Sequence, residues 1–309
     1  MAKETVAQIP QLSDKFGSAI LIGRAKSDSQ EWHDMRSVGI GGSHVGIICG
    51  FSRWDSPMSL WARKTRRIVE PVEQNEAMEW GNRLEPVVID KFAENNPEYT
   101  VYRDTGTWKH QEREWQIANP DAIYQKPDGT YGVLEVKTAR YEEDWQGDRY
   151  GEYQVPLSYM AQVQWYLQVF GLQEATIVAL FSGSKYIEIP ITADSFEQEA
   201  NLARVELFRK HLLEDTQPDF DGANATLETI RKINPDIEDT EVELGELGVH
   251  YFNAVADADK ANAHLNEMKS RVISAMGKAK RGLVYTEHMV SRQAGRGGNP
   301  PFLVNKRGK

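Results

Sequence analysis

The sequence lacks the residues that several classes of metal and membrane protein require. Its 309 residues include one cysteine, Cys49, which excludes an internal disulfide and a multi-cysteine zinc or iron–sulfur site. No uninterrupted apolar stretch approaches the roughly 20 residues of a membrane-spanning helix, and the N-terminus opens no apolar run. Internal repeats and low-complexity tracts are also absent. We therefore expect a cytoplasmic protein that does not bind membranes.

Basic residues are fewer than acidic residues, but the charge is unevenly distributed. The apolar fraction of 40% and the charged fraction of 27% are those of a globular protein, and the net charge of −10 argues against a general nucleic-acid coat. Residues 211–250 contain eleven acidic and two basic side chains, whereas residues 269–309 contain ten basic and one acidic. Net charge therefore says little about local binding surfaces.

The segment from Asn119 to Lys137 carries the clearest chemical pattern. A turn at 127–130 between two apolar segments predicts a β-hairpin, with Asp121 entering the first strand and Glu135 and Lys137 on one face of the second. Carboxylate oxygens of this kind can hold Mg²⁺ while leaving positions for water and phosphate. The lysine could orient or help deprotonate an attacking water. An ordinary solvated hairpin is the alternative, and these residues alone do not decide between the two.

A glycine-rich turn at 39–46 is a second candidate site. It follows a short predicted helix that ends near Arg36, and Ser43 is expected to cap the next helix. The glycines would let the backbone approach a ligand, and the first N–H groups of that helix would be free to bind an anion. Simple turn chemistry is the alternative reading.

The remaining pattern predicts an α/β core. A helix at 57–68 ends in the basic run 63–67, which is either a solvated face or a contact for a phosphate backbone. In a second helix at 75–95, Glu85 lies among apolar neighbours and needs a partner such as a metal ion or Arg83, and Pro86 predicts a kink. The apolar residues of this helix recur at helical spacing: Ala77, Met78, Trp80, Leu84, Val88 and Phe92. Further strands are expected at 100–102, 106–109, 115–118, 174–181 and 185–191, and further helices at 157–170 and 194–213.

Changes in composition and charge along the chain predict four parts. Residues 1–29 form an N-terminal arm, residues 30–215 the core, and residues 216–246 an acidic connector. Residues 247–309 form a long helix followed by a basic tail with a small hairpin. We expect the long helix to serve assembly or packing rather than catalysis.

Five ordered blocks of sequence resemble the YqaJ-like viral recombinase family, which includes phage lambda exonuclease and RecE-type exonucleases. The blocks are Trp32–Arg36 with Gly42–Ser43, Trp80–Glu85, Asn119–Asp121, Leu134–Lys137 and Tyr159–Gln164. Each block alone is common, but five in this order are specific. The resemblance implies the restriction-endonuclease-like core of PD-(D/E)XK nucleases, a mixed central sheet flanked by helices, carrying a C-terminal helical extension.

The resemblance also implies two Mg²⁺ ions, for which Mn²⁺ may substitute, and the residues that hold them. Asp121, Glu135 and the main-chain carbonyl of Val136 would be metal ligands, and Glu85 would serve the second metal. Lys137 would act on the attacking water, and the role implied for Gln162 is to help position that water.

The resemblance assigns a further set of residues to the DNA. Arg36 and Ser43 would grip the 5′-phosphate, and Met78 would be an apolar wedge at the terminal base pair. An additional family acid, expected about ten residues before Asp121, has no clear counterpart, although Glu112 and Glu114 lie nearby in the sequence.

The activity implied is 5′-to-3′ digestion of one strand of linear double-stranded DNA, which leaves 3′ single-stranded tails for phage-type recombination. The implied partners are DNA ends, a RecT-like or beta-like single-strand annealing protein, and further copies of the chain in a homo-oligomeric ring. A structure-specific or restriction-like endonuclease and a non-catalytic DNA-binding or docking module remain as alternatives. The CRISPR-adaptation nucleases of the same superfamily are excluded because the sequence has no cysteine cluster.

Overall fold

The computed structural model describes residues 12–25, 29–69, 75–103, 106–145, 152–284 and 287–305. The chain divides into two compact units, residues 1–236 and 237–309. The predicted division into four parts stays a prediction. In the described ranges, no helix is long and apolar enough to cross a membrane.

The first unit mixes helices and strands, as predicted. Its helices are α1 (Gln30–Ser37), α2 (Gly42–Ile48), α3 (Pro57–Lys64), α4 (Glu76–Asn95), α5 (Leu157–Phe170), α6 (Ser195–Glu214) and α7 (Asn224–Ile233). Its strands are β1 (Lys15–Phe16), β2 (Ala19–Gly23), β3 (Ile40–Gly41), β4 (Thr100–Tyr102), β5 (Thr107–His110), β6 (Gln116–Ala118), β7 (Ala122–Gln125), β8 (Tyr131–Ala139), β9 (Glu174–Phe181) and β10 (Lys185–Thr192). Helix α7 lies within the segment expected to be a loop-rich connector, and it packs against α3.

The central sheet has the strand order β10-β9-β8-β7-β4. Strands β8 and β9 run parallel, and the other neighbours are antiparallel. Because side chains alternate along a strand, Val133 of β8 joins the hydrophobic cluster of α5, whereas Leu134 and Val136 join the cluster of α4. The sheet is therefore covered by α5 on one face and by α4 on the other. Glu135 and Lys137 belong to the face that α5 covers.

The second sheet has the order β1-β2-β5-β6-β3 and corrects one expectation. Strand β2 pairs antiparallel with β5, so that Leu21 lies opposite Trp108, and Ala19 is fully buried. The described part of the predicted N-terminal arm is thus built into a sheet and is not an extended arm. Its short strands have little hydrophobic periodicity of their own. Pairing with β5 stabilises them instead.

Helix α4 also differs from its sequence prediction. It runs through Pro86 as a continuous helix. Of its predicted apolar face, Val88 and Phe92 are buried, but Met78 and Trp80 in the first turns are exposed. Only the C-terminal half of α4 packs on the sheet, so the first half is available to contact a ligand.

Helix α5 begins and ends as predicted and carries two buried glutamines. Gln164 donates to the carbonyl of Thr192 and accepts from the amide of Asp194. This pair of hydrogen bonds fixes the start of α6 against α5. Gln162 points instead toward the central sheet.

The second unit contains α8 (Glu246–Met276) and a three-stranded antiparallel sheet of β11 (Arg281–Val284), β12 (Glu287–Gln293) and β13 (Phe302–Asn305). A long helix and a small hairpin were predicted here, and the structure adds strand β11 to the hairpin. The apolar residues Val249, Phe252 and Leu265 of α8 are exposed within the part of the chain that the structure describes.

Close packing of α2 on α5 depends on Gly42. A Cβ atom at this position would lie 2.5 Å from Cε1 of Tyr166 and 3.1 Å from Cγ of Gln162. Both partners are buried, so neither side chain can move aside without disturbing its neighbours. At the adjacent Gly41, which is the N-cap of α2, an added Cβ would meet no heavy atom within 4 Å.

We predict that Gly42→Ala lowers the free energy of unfolding by about 1–3 kcal/mol because of overpacking against Tyr166. Gly41→Ser is the matched control, since serine suits an N-cap and has room, and it should change stability by less than about 0.5 kcal/mol. Urea unfolding of both variants measures the difference. Equal stability of the two variants would contradict the close approach of α2 to α5.

Candidate active site

A cavity of about 720 Å³ opens beside the β7–β8 hairpin. Helices α1, α2, α4 and α5 supply its other walls. Every residue that the sequence assigned to the site lines this one cavity: Arg36, Ser43, Met78, Glu85, Asp121, Glu135, Val136, Lys137 and Gln162. The structure therefore brings the predicted residues together, although their chemical roles are a separate question.

The Glu135 carboxylate is the centre of the cavity and is only 1% exposed. Its Oε1 atom lies 2.5 Å from Nζ of Lys137 and accepts a 2.6 Å hydrogen bond from Nε2 of Gln162. The Lys137 ammonium also donates to Oε1 of Gln162 over 3.2 Å. These three side chains form a closed set in which each contacts the other two. The set connects the central strand β8 to helix α5.

The second oxygen of Glu135, Oε2, is buried and has no hydrogen-bond partner among the described residues. A buried charged oxygen without a partner is costly, and such groups in native proteins call for an explanation. A cation bound on this side would provide the missing partner. The orphan oxygen is therefore the strongest local indication of a metal ligand.

The Asp121 carboxylate lies close to this centre. Its Oδ2 atom accepts a 2.7 Å hydrogen bond from the amide of Val136, which ties the start of β7 to β8. Burial raises the pKa of Asp121 well above its usual value, and the nearby charges of Glu135 and Glu85 raise it further. A divalent cation would relieve this crowding of carboxylates.

Glu85 faces the same cavity from α4. Arg83, one candidate for its partner, instead donates to Glu79 over 2.9 and 2.7 Å. Among the described residues, no group of three or more His, Cys, Asp or Glu side chains is already gathered around one point as a complete metal site. The available set is the pair Asp121 and Glu135, with Glu85 facing the same cavity from α4.

The Lys137 ammonium is enclosed by groups that keep it charged. Its Nζ lies 4.8 Å from the ring centroid of Tyr159, within cation–π range. Burial alone would lower the pKa of Lys137, but the charges of Glu135 and Asp121 outweigh burial and raise it. The group is thus a fixed positive charge beside the carboxylates.

Two tyrosines of α5 complete the site and were not predicted. Tyr166 accepts a 3.1 Å hydrogen bond from Nε2 of Gln162, and burial raises the pKa of its hydroxyl so that it stays neutral. Tyr159 and Tyr166 lie three residues before and four residues after Gln162. That helical spacing places all three on one face of α5 and was the signal available in the sequence.

Arg36 lines the cavity from α1. Its guanidinium stacks over the Trp32 ring at 4.0 Å and donates to Oγ of Ser43 over 3.2 Å. The prediction that Ser43 caps α2 was wrong. Gly41 is the N-cap, and its amide donates to Nδ1 of His44. Helix α2 has only seven residues, and the side chains of Arg36 and Ser43 face the cavity beside it.

Two exposed apolar side chains line the cavity. Met78 is 44% exposed and Trp54 is 84% exposed, and both line the cavity. Trp54 was not singled out by the sequence, since a lone tryptophan in a loop has no distinctive spacing. The acids considered as a further ligand are not among the described lining residues, and Glu114 pairs with Lys109 at 3.0 Å.

The fold is restriction-endonuclease-like, as the comparison with solved structures shows. The structure of an alkaline exonuclease from Laribacter hongkongensis superimposes with a TM-score of 0.51 at 20% identity, over 60% of this chain and 94% of that one. The same enzyme in complex with dAMP gives a TM-score of 0.50 at 20% identity, over the same shares of the two chains.

Sequence comparison identifies the family. The model of the YqaJ-like viral recombinase domain matches residues 31–173. The uncharacterized protein YqaJ of Bacillus subtilis (strain 168) is 30% identical over 218 residues, which are 69% of this chain and 66% of that relative, slightly less than two thirds of its length. Residues 31–173 of the chain thus match the YqaJ-like viral recombinase domain.

The buried set of Glu135, Lys137 and Gln162 predicts a specific pattern of stability without metal. Lys137→Met leaves a buried carboxylate without its cation and should lower the free energy of unfolding by about 3–5 kcal/mol. Adding Glu135→Gln in the same chain removes the uncompensated charge and should recover part of that loss. Urea unfolding in the presence of a chelator measures both.

Lys185→Met is the matched control for this experiment. Lys185 pairs with Glu142 at 2.7 Å, but its side chain is 51% exposed. Its loss should cost less than about 1 kcal/mol because water screens the pair. Equal losses at Lys137 and Lys185 would contradict the buried character of the site.

Proposed function

We propose that the chain is a metal-dependent exonuclease that degrades one strand of linear double-stranded DNA from its 5′ end and leaves 3′ tails. The observation that carries the proposal is that a single cavity contains both a buried carboxylate–lysine centre and an arginine suited to a terminal phosphate. The centre has the groups needed for phosphodiester hydrolysis. Arg36 offers recognition of a strand end.

The donor set fits a divalent cation that prefers oxygen ligands. The orphan Oε2 of Glu135 and the crowded carboxylate of Asp121 support this assignment. Asp121, Glu135 and the main-chain carbonyl of Val136 would hold one Mg²⁺, and Glu85 would help to hold a second; Mn²⁺ has the same ligand preference. When bound, such an ion lowers the pKa of a water molecule and offsets the charge that develops on the phosphate.

The chain's own residues have separate tasks in this proposal. The Lys137 ammonium donates to the attacking water and fixes its direction, and Gln162, anchored by Tyr166, holds that geometry. Arg36 and Ser43 bind the 5′-phosphate through charge-assisted hydrogen bonds. Met78 projects from the exposed half of α4 and would press against the terminal base pair.

Two other functions use parts of the same site. A restriction-like endonuclease would need the carboxylates and Lys137 but has no terminal phosphate for Arg36 to bind. A non-catalytic DNA-binding module has no use for a buried carboxylate with an unpartnered oxygen. The alkaline exonuclease that shares this fold has been solved with dAMP, a nucleotide of the product class proposed for this chain. From the family we further propose a homo-oligomeric ring and a single-strand annealing protein as partner.

The first prediction of this proposal concerns strand loss. With Mg²⁺, linear duplex DNA should lose one strand from its 5′ ends, covalently closed circles should stay intact, and a chelator should abolish digestion. Lys137→Ala should lower the rate by about 10²–10⁴-fold, since it removes the group that orients the water. Gel analysis of strand-specifically labelled DNA measures this.

Lys126→Ala serves as the matched control for that assay. Lys126 forms a 2.6 Å ion pair with Glu174 on the same sheet but does not line the cavity, so its loss should leave the rate nearly unchanged. Cutting of closed circles would favour the endonuclease. DNA binding without cleavage under any divalent metal would leave only the docking module.

The second prediction concerns end recognition. Arg36→Ala should abolish the preference for a 5′-phosphate over a 5′-hydroxyl, which we expect to be about 10–100-fold from the strength of charge-assisted hydrogen bonds. The readout is the ratio of digestion rates on the two substrates. Arg83→Ala, on the exposed side of α4 and outside the cavity lining, should keep the preference. An unchanged ratio of rates in Arg36→Ala would contradict the proposal that Arg36 binds the 5′-phosphate.

A further inference from the structure

A second large cavity lies on the other side of the segment that carries Arg36 and Ser43. Its volume is about 770 Å³, and Ser37 and His44, the next residues along the chain, are among its lining. The last turn of α3, the C-terminal turns of α6 and Trp115 form further parts of its walls. The basic run 63–67, which the sequence left as either a solvated face or a phosphate contact, contributes residues to this cavity.

The lining of this cavity is strongly basic. Arg63, Lys64, Arg66 and Arg209 all line it. The one carboxylate among the described lining residues is Asp215, and both of its oxygens already accept from Arg67 over 2.8 and 3.0 Å. Positive charge is therefore concentrated here without an equal number of available acids.

The basic side chains differ in how far their charge is already compensated. Arg63 pairs with Asp55, and Lys64 donates to the carbonyl of Gly39 over 2.8 Å, which carries no charge. In the described ranges, no carboxylate lies within ion-pair distance of Arg66 or Arg209. Lys64, Arg66 and Arg209 are thus the groups with charge left for a ligand.

The positions of Lys64 and Arg66 are each energetically unfavourable in one respect. Burial, together with the charges of Arg36 and Arg63, lowers the pKa of Lys64 to about 8. Arg66 has a φ of 58°, in the left-handed region where a glycine would be less strained. A bound anion would offset the first cost, and its contact with the Arg66 guanidinium would offset the second.

The ligand chemistry follows from the shape and charge of the site. Guanidinium groups bind phosphate oxygens through paired hydrogen bonds. DNA backbone phosphates are the phosphates that a nuclease meets most often, and their recognition is independent of sequence. The apolar walls include Trp115, whose ring already lies 5.2 Å from the guanidinium of Arg209. That contact orients the arginine and leaves its N–H groups for an anion.

We propose that this cavity is a second phosphate site, in which Lys64, Arg66 and Arg209 bind a backbone phosphate of the DNA outside the catalytic cavity. The proposal rests on the proposed function only in taking DNA as the ligand. The α1–α2 segment then has a terminal phosphate on one side and a backbone phosphate on the other. Such a second grip keeps the duplex attached while the catalytic cavity exchanges its product.

The test is the salt dependence of DNA binding by the full chain in a chelator, where no cleavage interferes. The dissociation constant for a 5′-hydroxyl duplex is measured from 50 to 300 mM salt. A plot of the logarithm of the dissociation constant against the logarithm of the salt concentration has a positive slope. Each lost phosphate contact makes that slope smaller by about 0.9. Arg66→Gln and Arg209→Gln should together lower it by one to two such steps, and equally on duplexes of different sequence.

Two controls separate this site from general effects of charge and folding. Lys210→Gln removes a charge next to Arg209 on α6 but outside the cavity lining, and it should leave the slope unchanged. Arg66→Gly relieves the left-handed backbone, so it should raise the midpoint of thermal unfolding while it weakens DNA binding. A variant that is more stable and binds less tightly cannot be explained by misfolding.

The outcomes distinguish this proposal from the proposed function. Lowered slopes in the Arg66 and Arg209 variants support the second site even if the wild type cleaves nothing. Unchanged slopes overturn it even if the wild type is an active exonuclease. Titration with inorganic phosphate and with deoxyadenosine monophosphate tests a free anion as the source. Binding of either that these substitutions abolish, with unchanged DNA slopes, would overturn DNA as the ligand.

Discussion

The site depends on one buried carboxylate that is only half satisfied. One oxygen of Glu135 is held by Lys137 and Gln162 at 2.5 and 2.6 Å, and the other has no partner among the described residues. A carboxylate this deep in a protein is tolerable only while its positive neighbours stay in place. The surrounding structure therefore has to hold a lysine and a glutamine rigidly against a strand, and to leave one direction open.

The architecture meets both requirements. Strand β8 is central in its sheet, so its backbone is fixed on both sides by β7 and β9. Alternation puts Leu134 and Val136 into the cluster with α4, which leaves Glu135 and Lys137 facing α5. The glycine at position 42 lets α2 approach α5 closely enough to confine Tyr166, and through it Gln162. Most of this support comes from apolar packing and backbone pairing, and one hydrogen bond from Gln162 to Tyr166 transmits it to the polar centre.

The sequence predicted the parts of this arrangement that have a local cause. Helix α5 and the β7–β8 hairpin follow from an apolar run and from a turn between alternating segments, and their predicted positions are confirmed. The gathering of Arg36 with Glu135 in one cavity was inferred from family resemblance, because no local rule connects residues 99 positions apart in the chain. The cap of α2 was assigned to Ser43 by residue preference, yet Gly41 takes that position with help from His44.

The remaining differences between prediction and structure depend on which residues are packed against other elements of the fold. Apolar spacing in α4 identified a face, but packing covers Val88 and Phe92 and leaves Met78 and Trp80 exposed. Strand β2 had too little hydrophobic periodicity to be recognised from the sequence. Its stability comes from pairing with β5, which lies in a distant part of the chain. Tertiary contacts decided both cases, and single-sequence patterns do not contain them.

The short segment from α1 to α2 lines two cavities of opposite charge character. On one side burial and crowded carboxylates raise the pKa of Asp121, and on the other burial and nearby cations lower the pKa of Lys64. Arg36 contributes to the field on both sides, since it lines the first cavity and its charge reaches Lys64 in the second. Each region would lower its own repulsion by binding the ion of opposite sign that we propose for it. A cation on one side and phosphates on the other are the ions that a reaction on the DNA backbone brings together, so both imbalances are explained by one kind of substrate.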